Sequence, residues 1–190
     1  MTLRARAVEF EGLYSNAEFE AMPEFGERYG LIEGRLVKKP VPGYEHAHIA
    51  QRINRRLTLF DPDEKLGIIA QEVNTNIGPK DTPLPDLSFW IASRKPKMTK
   101  GAAPRPDLVV EVLSPHDLDS RKRREEAQAK IRRYQAAGVS VVWLINPQSR
   151  QVEIYHPGEL EPVKVLYMTD QLEGEPVIPG FTMPIADLFA

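Results

Sequence analysis

The sequence predicts an α/β (α+β) fold, a mixed β-sheet flanked by helices. Three observations predict it. Two long segments, near 45–60 and 119–137, carry apolar residues at helical spacing. Short apolar runs of strand length, at 87–91, 108–113 and 139–145, lie between and after them. Helices therefore alternate with strands, the order expected of a sheet covered by helices.

The elements follow in order. Ser15 or Asn16 caps a short helix through Met22, which Pro23 ends. Residues 29–37 alternate around Glu33-Gly34 and read as a strand or hairpin arm. Pro40, Pro42 and Gly43 make a loop. His46, Ile49, Ile53 and Leu57 then recur at spacings of three and four, one helical face, until Asp61-Pro62-Asp63 closes it. Residues 67–77 are β-like, 78–85 form a polar, proline-containing loop, and 87–91 form a short apolar strand. A basic loop spans 93–104. Residues 108–113 are apolar except for Glu111, as in a central strand covered on both faces. Asp119 is expected to cap the long helix, which Gly138 stops. A buried strand follows at 139–145, and Asn146-Pro147 turns into its hairpin partner at 152–155. Residues 164–168 and 176–178 have strand character, and 185–189 suit a short closing helix.

The chain has 190 residues, enough for one domain that buries a core without staples. A single domain over 1–190 is expected, with its core at about 29–155 and residues 160–190 as an extension. There is no cysteine, which excludes disulfides, thiolate zinc sites and cysteine nucleophiles. No apolar run reaches membrane length, and residues 1–11 do not read as a secretory signal. A soluble, cytoplasmic protein without a membrane partner is expected. The net charge of −2 does not advertise a nucleic-acid binder, but Arg121, Lys122, Arg123 and Arg124 form a local basic run. Neither a glycine-rich phosphate loop nor a serine elbow appears.

The informative residues are acids in apolar strands. Glu111 interrupts a buried strand, where a charge needs a partner, a metal or a raised pKa. Asp107 shares its face by alternation but lies four residues away, roughly 13 Å at strand spacing. That is too far for both to ligate one ion at the ~2 Å that Mg²⁺ requires. Asp86, which opens the preceding strand after Pro85, is the better partner for Glu111. The structural alternatives are a salt bridge from Glu111 to Arg123, and a strand-opening or turn role for Asp86 and Asp107.

Residues 106–115, Lys130, Tyr134, Gly138-Val139, Trp143 and Asn146-Pro147 resemble the Uma family of restriction endonucleases. Residues 31–37, His46 with Ile49, and residues 85–89 extend the resemblance, which covers about 29–155. It implies a restriction-endonuclease-like fold of the PD-(D/E)XK superfamily and a nuclease dependent on Mg²⁺ or Mn²⁺. Nucleic acid, DNA first, is the implied partner. The metal ligands would be Asp86 and Glu111. Glu33 would either supply a further acid, as the superfamily's first acid does, or be an acid of a tight turn before Gly34; Asp107, His46 and Arg123 are secondary candidates. The chain departs from the pattern at Leu113, where the superfamily carries lysine after acid-x. Either activity is lost or another cation serves. Lys130, at the edge of the apolar stripe Ala127, Ile131 and Tyr134, is the candidate. Its alternative is a surface lysine. Two further readings stay open: an inactive nuclease-fold binding module, and a metal-dependent hydrolase of small phosphoesters. Two-fold pairing of subunits would suit a duplex substrate, but nothing in the sequence locates an interface.

Overall fold

Local chemistry sets the first elements. Ser15 and Glu18 form a reciprocal capping box that starts helix α1, Asn16–Glu20. Strands β1 (Tyr29–Ile32) and β2 (Arg35–Lys38) pair antiparallel around Glu33-Gly34. Both turn residues have positive φ, at 51° and 78°, which a two-residue hairpin of this hand requires and which glycine supplies without strain. This computed structural model describes residues 12–23, 25–97, 100–114, 117 and 121–190.

Helix α2, Tyr44–Phe60, buries Ile49, Ala50, Ile53 and Leu57. It stops at Asp61, whose carboxylate accepts the N–H groups of Lys65, Leu66 and Gly67 at 2.9, 2.7 and 3.2 Å. Strands β3 (Gly67–Gln71) and β4 (Thr75–Asn76) replace the continuous β-like stretch expected at 67–77. Glu72, with φ of 50°, breaks it. Strand β5 is Leu87–Ile91, a 3₁₀ turn occupies Ala92–Arg94, and β6 is Ala103–Pro104. Central strand β7 is Leu108–Val112. Helix α3 is Arg121–Ala136, and Gly138 with φ of 78° follows its end. The expected cap, Asp119, lies outside the described residues.

Strands β8 (Val141–Asn146), β9 (Gln151–Tyr155) and β10 (Lys164–Leu166) complete the main sheet. Among the described residues its order is β10-β9-β8-β7-β5-β3, all antiparallel except β7 with β8. That parallel pair requires a long crossover, which α3 provides. Strands β11 (Gln171–Glu173) and β12 (Thr182–Pro184) pair separately, and α4 is Ile185–Leu188.

The strand expected at 176–178 does not form. Pro176 has no N–H for a ladder, and Val177 and Ile178 instead donate to Gly174 O in a turn. Their side chains are buried all the same, which explains the strand-like pattern.

The sheet is covered on both faces. Leu108, Val110 and Val112 meet α2 and the C-terminal residues Leu172, Phe181, Ile185 and Leu188. Val109, with Val142 and Leu144 of β8, meets Ile131 and Tyr134 of α3. Trp90 and Trp143 are buried, as core side chains. No helix among the described residues is long and apolar enough to cross a membrane.

Candidate active site

Strand register brings the two acids together. Leu87 pairs with Val110 and Ser88 with Val109, so the next step sets Asp86 opposite Glu111. Opposed residues on antiparallel strands share a face, with Cβ atoms about 4.5–5.5 Å apart. Period-two alternation puts Glu111 between Val109 and Leu113, on the α3 side of the sheet. Both acids are buried, at 2% exposure for Asp86 and 6% for Glu111.

Buried carboxylates need compensation, and each has its own set. Asp86 Oδ1 lies 2.7 Å from Lys39 Nζ, and Oδ2 lies 3.2 Å from His46 Nε2. The backbone N–H of Val112 also donates to Oδ2, at 2.7 Å. Glu111 Oε2 lies 2.7 Å from Lys130 Nζ, and Oε1 accepts the Tyr134 hydroxyl at 2.7 Å. Lys39 leans from Asp86 toward Glu72, 3.6 Å away, and Arg28 pairs with the other Glu72 oxygen.

The electrostatics follow from these contacts. Burial pushes Asp86 upward, but the His46 hydrogen bond and the Lys39 charge outweigh it and hold its carboxyl well below the usual range. Burial lowers His46, yet its hydrogen bond to Asp86 and that residue's charge leave it raised. Burial lowers Lys130 too, and the charges of Glu111 and then Asp86 overcome this, so its ammonium is held more firmly than usual. Burial, then the adjacent Glu111 carboxylate, keeps the Tyr134 hydroxyl protonated far above its ordinary value.

Lys39, Glu111 and Lys130 open into one cavity of about 520 Å³. Leu113, Ile131, Leu84 and Val37 supply apolar wall, and Asp117 and Arg133 also line it.

This arrangement sits on a known architecture. Residues 17–186 match the Uma2 family, described as "putative restriction endonuclease". The chain belongs to that family. A solved "putative nuclease" from Anabaena variabilis shares the fold at a TM-score of 0.75 and 24% identity, covering 92% of this chain and 97% of its own. No curated protein matches the chain.

In this Uma2 chain the structure brings together Asp86, Glu111, Lys130 and His46. It does not bring Glu33 to them. Glu33 sits on the β1–β2 turn, its side chain 69% exposed, 2.6 Å from Arg133 Nη2. The tight turn that needs positive φ presents this acid to solvent rather than to the sheet. Asp107 is also elsewhere: it accepts the Ile91 N–H at 3.0 Å and pairs with Arg94. It tethers the far ends of β5 and β7. Lys130, not Arg123, is the ion-pair partner of Glu111, and Arg123 does not line the cavity.

Sequence reasoning missed Lys39 and the role of Tyr134. Lys39 follows β2 in a Lys-Lys-Pro run with no pattern of its own. Tyr134 was legible only as an apolar-stripe residue, though a buried phenol always needs a partner for its hydroxyl.

The residues present fit a hard divalent cation. Their donors are carboxylate oxygens. Asp86 Oδ1, although beside the Lys39 ammonium, is a buried oxygen without a well-oriented hydrogen bond. Among the described residues no group of three or more acids or histidines is arranged so that it could hold a metal ion. The protein would therefore supply two carboxylates, as suits Mg²⁺, which keeps waters and is held by one or two carboxylates plus substrate phosphate.

Proposed function

We propose that the chain is a metal-dependent nuclease that hydrolyses phosphodiester bonds in DNA. The observation that carries this reading is the pairing of two buried acids, Asp86 and Glu111, opposite one another on adjacent strands and on one face, with Glu111 lining a cavity that Lys39 and Lys130 also line. Asp86 and Glu111 would hold Mg²⁺ or Mn²⁺. Bound there, such an ion would supply Lewis-acid charge and lower the pKa of water.

The chain's own residues do the rest. Lys130 carries a secured positive charge at the cavity, where it offsets the negative charge that grows on a phosphate under attack. Tyr134 fixes the orientation of Glu111, and His46 with the Val112 N–H fixes that of Asp86. Leu84, Leu113 and Ile131 keep part of the wall dry, which strengthens every charge inside. The departure at Leu113 is thus met by a lysine from the following helix.

One observation favours a second reading. Each acid is already paired with a lysine, which is also how a structural cluster in an inactive binding module would be neutralised. Incubation of plasmid and single-stranded DNA with the protein and Mg²⁺ or Mn²⁺ separates the two. Cleavage by the wild type that EDTA and Glu111→Gln both abolish supports the nuclease. Binding without cleavage supports the module. Hydrolysis of small phosphodiesters alone supports the phosphoesterase.

A further inference from the structure

A second cationic feature lies outside the acid pair, on the outer face of α2. Tyr44, at the start of the helix, is 82% exposed. Its ring stacks on His48 one turn later, with centroids 5.3 Å apart and planes within 13°. His48 Nε2 accepts the Arg52 Nε–H at 3.0 Å, and Arg52 also donates to the Asp187 carbonyl of α4. The i,i+4 chain Tyr44–His48–Arg52 therefore holds the outermost ring in one orientation, its far side open to water.

The same face continues into a groove of about 450 Å³, lined by His48, Arg52, Arg55, Arg56, Leu59 and Met183 among others. Asp187 is the acid among its lining residues. Arg55 and Arg56 are exposed. Among the described residues neither has an ion-pair or hydrogen-bond partner. The basic run of α3 differs, because Arg121 and Lys122 are paired with Glu125 and Glu126 one turn on. From Tyr44 to Arg56 the stripe is about 18 Å long at helical rise. It begins at the end of α2 where His46 touches Asp86.

We infer that this face of α2 binds an unpaired nucleic-acid strand, with Tyr44 as the base-stacking platform and Arg52, Arg55 and Arg56 as the phosphate contacts. The inference rests on the nuclease reading and deepens it by naming the strand state. Charge complementarity selects a polyanion. The open, pre-stacked ring selects a polyanion with exposed bases, because a duplex hides its base faces while a single strand offers them. The groove's apolar members, Leu59 and Met183, suit a base or sugar rather than bulk water.

The test uses full-length protein in EDTA, so that no strand is cut, and a labelled short oligothymidylate as probe, followed by fluorescence anisotropy. Tyr44→Ala is expected to weaken binding on the order of tenfold. Arg55→Gln with Arg56→Gln is expected to weaken it comparably. It should also reduce the slope of log affinity against log salt by about 1.4, two contacts at about 0.7 each. A duplex of the same length should bind more weakly to the wild type and be indifferent to Tyr44→Ala. Wild-type affinity and slope in both variants overturn the inference. So does a preference for duplex. DNA cleavage by the wild type, measured in parallel with Mn²⁺, separates the two failures. Cleavage with unaffected variants removes the platform alone, whereas absence of both binding and cleavage removes the nuclease reading as well.

Discussion

The two acids of the candidate site are held by different parts of the chain in different ways. Asp86 is clamped by Lys39 and by His46 of α2 from the N-terminal part of the chain, and by the backbone N–H of Val112 in β7. Glu111 is clamped from α3 alone, by Lys130 and Tyr134. The lysines differ accordingly. Lys39 is divided between Asp86 and Glu72, so its charge is largely spent inside the protein. Lys130 is drawn by both Glu111 and Asp86, and its side chain keeps 31% exposure. The Asp86 half is built to hold an acid in place. The Glu111 half can also present a charge to a substrate.

That contrast can be broken by substitution. The largest effect is expected at the acids. Glu111→Gln and Asp86→Asn should both bring DNA cleavage to background, in an assay with saturating Mn²⁺. Next comes Lys130→Met, which should leave Mn²⁺ binding largely intact and lower turnover by roughly 10²–10³, the scale of losing one group that stabilises transition-state charge. Equal cleavage by Lys130→Met and wild type would remove Lys130 from the chemistry. Lys39→Met should act differently, lowering metal affinity about 10–100-fold with a smaller change in turnover at saturation. If Lys39→Met gives the larger loss of turnover, the roles of the two halves are reversed.

Tyr134→Phe should produce the smallest change in the series. It removes a hydroxyl that orients one carboxylate oxygen, and a hydrogen bond to a charged group contributes about 1.5–3 kcal/mol. A modest fall in melting temperature and in metal affinity is expected, with activity restored at higher Mn²⁺.

A pH titration of stability sharpens the Asp86 half. Its folded pKa is depressed by His46 and Lys39 against the opposing effect of burial. The stabilisation is therefore present above the unfolded pKa, about 3.9, and is lost as pH falls through the depressed folded value. In EDTA, Asp86→Asn should flatten this acid limb of the denaturation curve, and an unchanged limb would contradict the assignment.

The fold was largely legible because burial and period agree. The run 108–113 could only be a doubly covered strand, and the α2 stripe of Ile49, Ile53 and Leu57 is what meets it. The C-terminal stretch misled because apolar pattern reports burial and not hydrogen bonding. Val177 and Ile178 are buried in a turn. In the site, Asp86 and Glu111 stood out because each is a costly charge at or inside an apolar strand, whereas Lys130 stood out from its place at the edge of a helical stripe together with the family resemblance. Lys39 was not, since its meaning arises only when the loop after β2 folds across the mouth of β5. Glu33 misled for the converse reason, as an acid beside a glycine suits a solvated turn as well as a ligand. The basic run 121–124 drew attention by composition. Its first two cations are balanced by acids one turn later, while Arg55 and Arg56 of α2 have no such partner among the described residues.

Mn²⁺ titration calorimetry of the wild type, Asp86→Asn and Glu111→Gln is the most direct check on the proposed shared cation site. The proposed metal clamp predicts one site in the wild type that either substitution removes, with melting profiles showing that both variants remain folded. A wild type that takes up no Mn²⁺, or variants that bind it as the wild type does, would contradict the assignment of these two acids as a metal clamp.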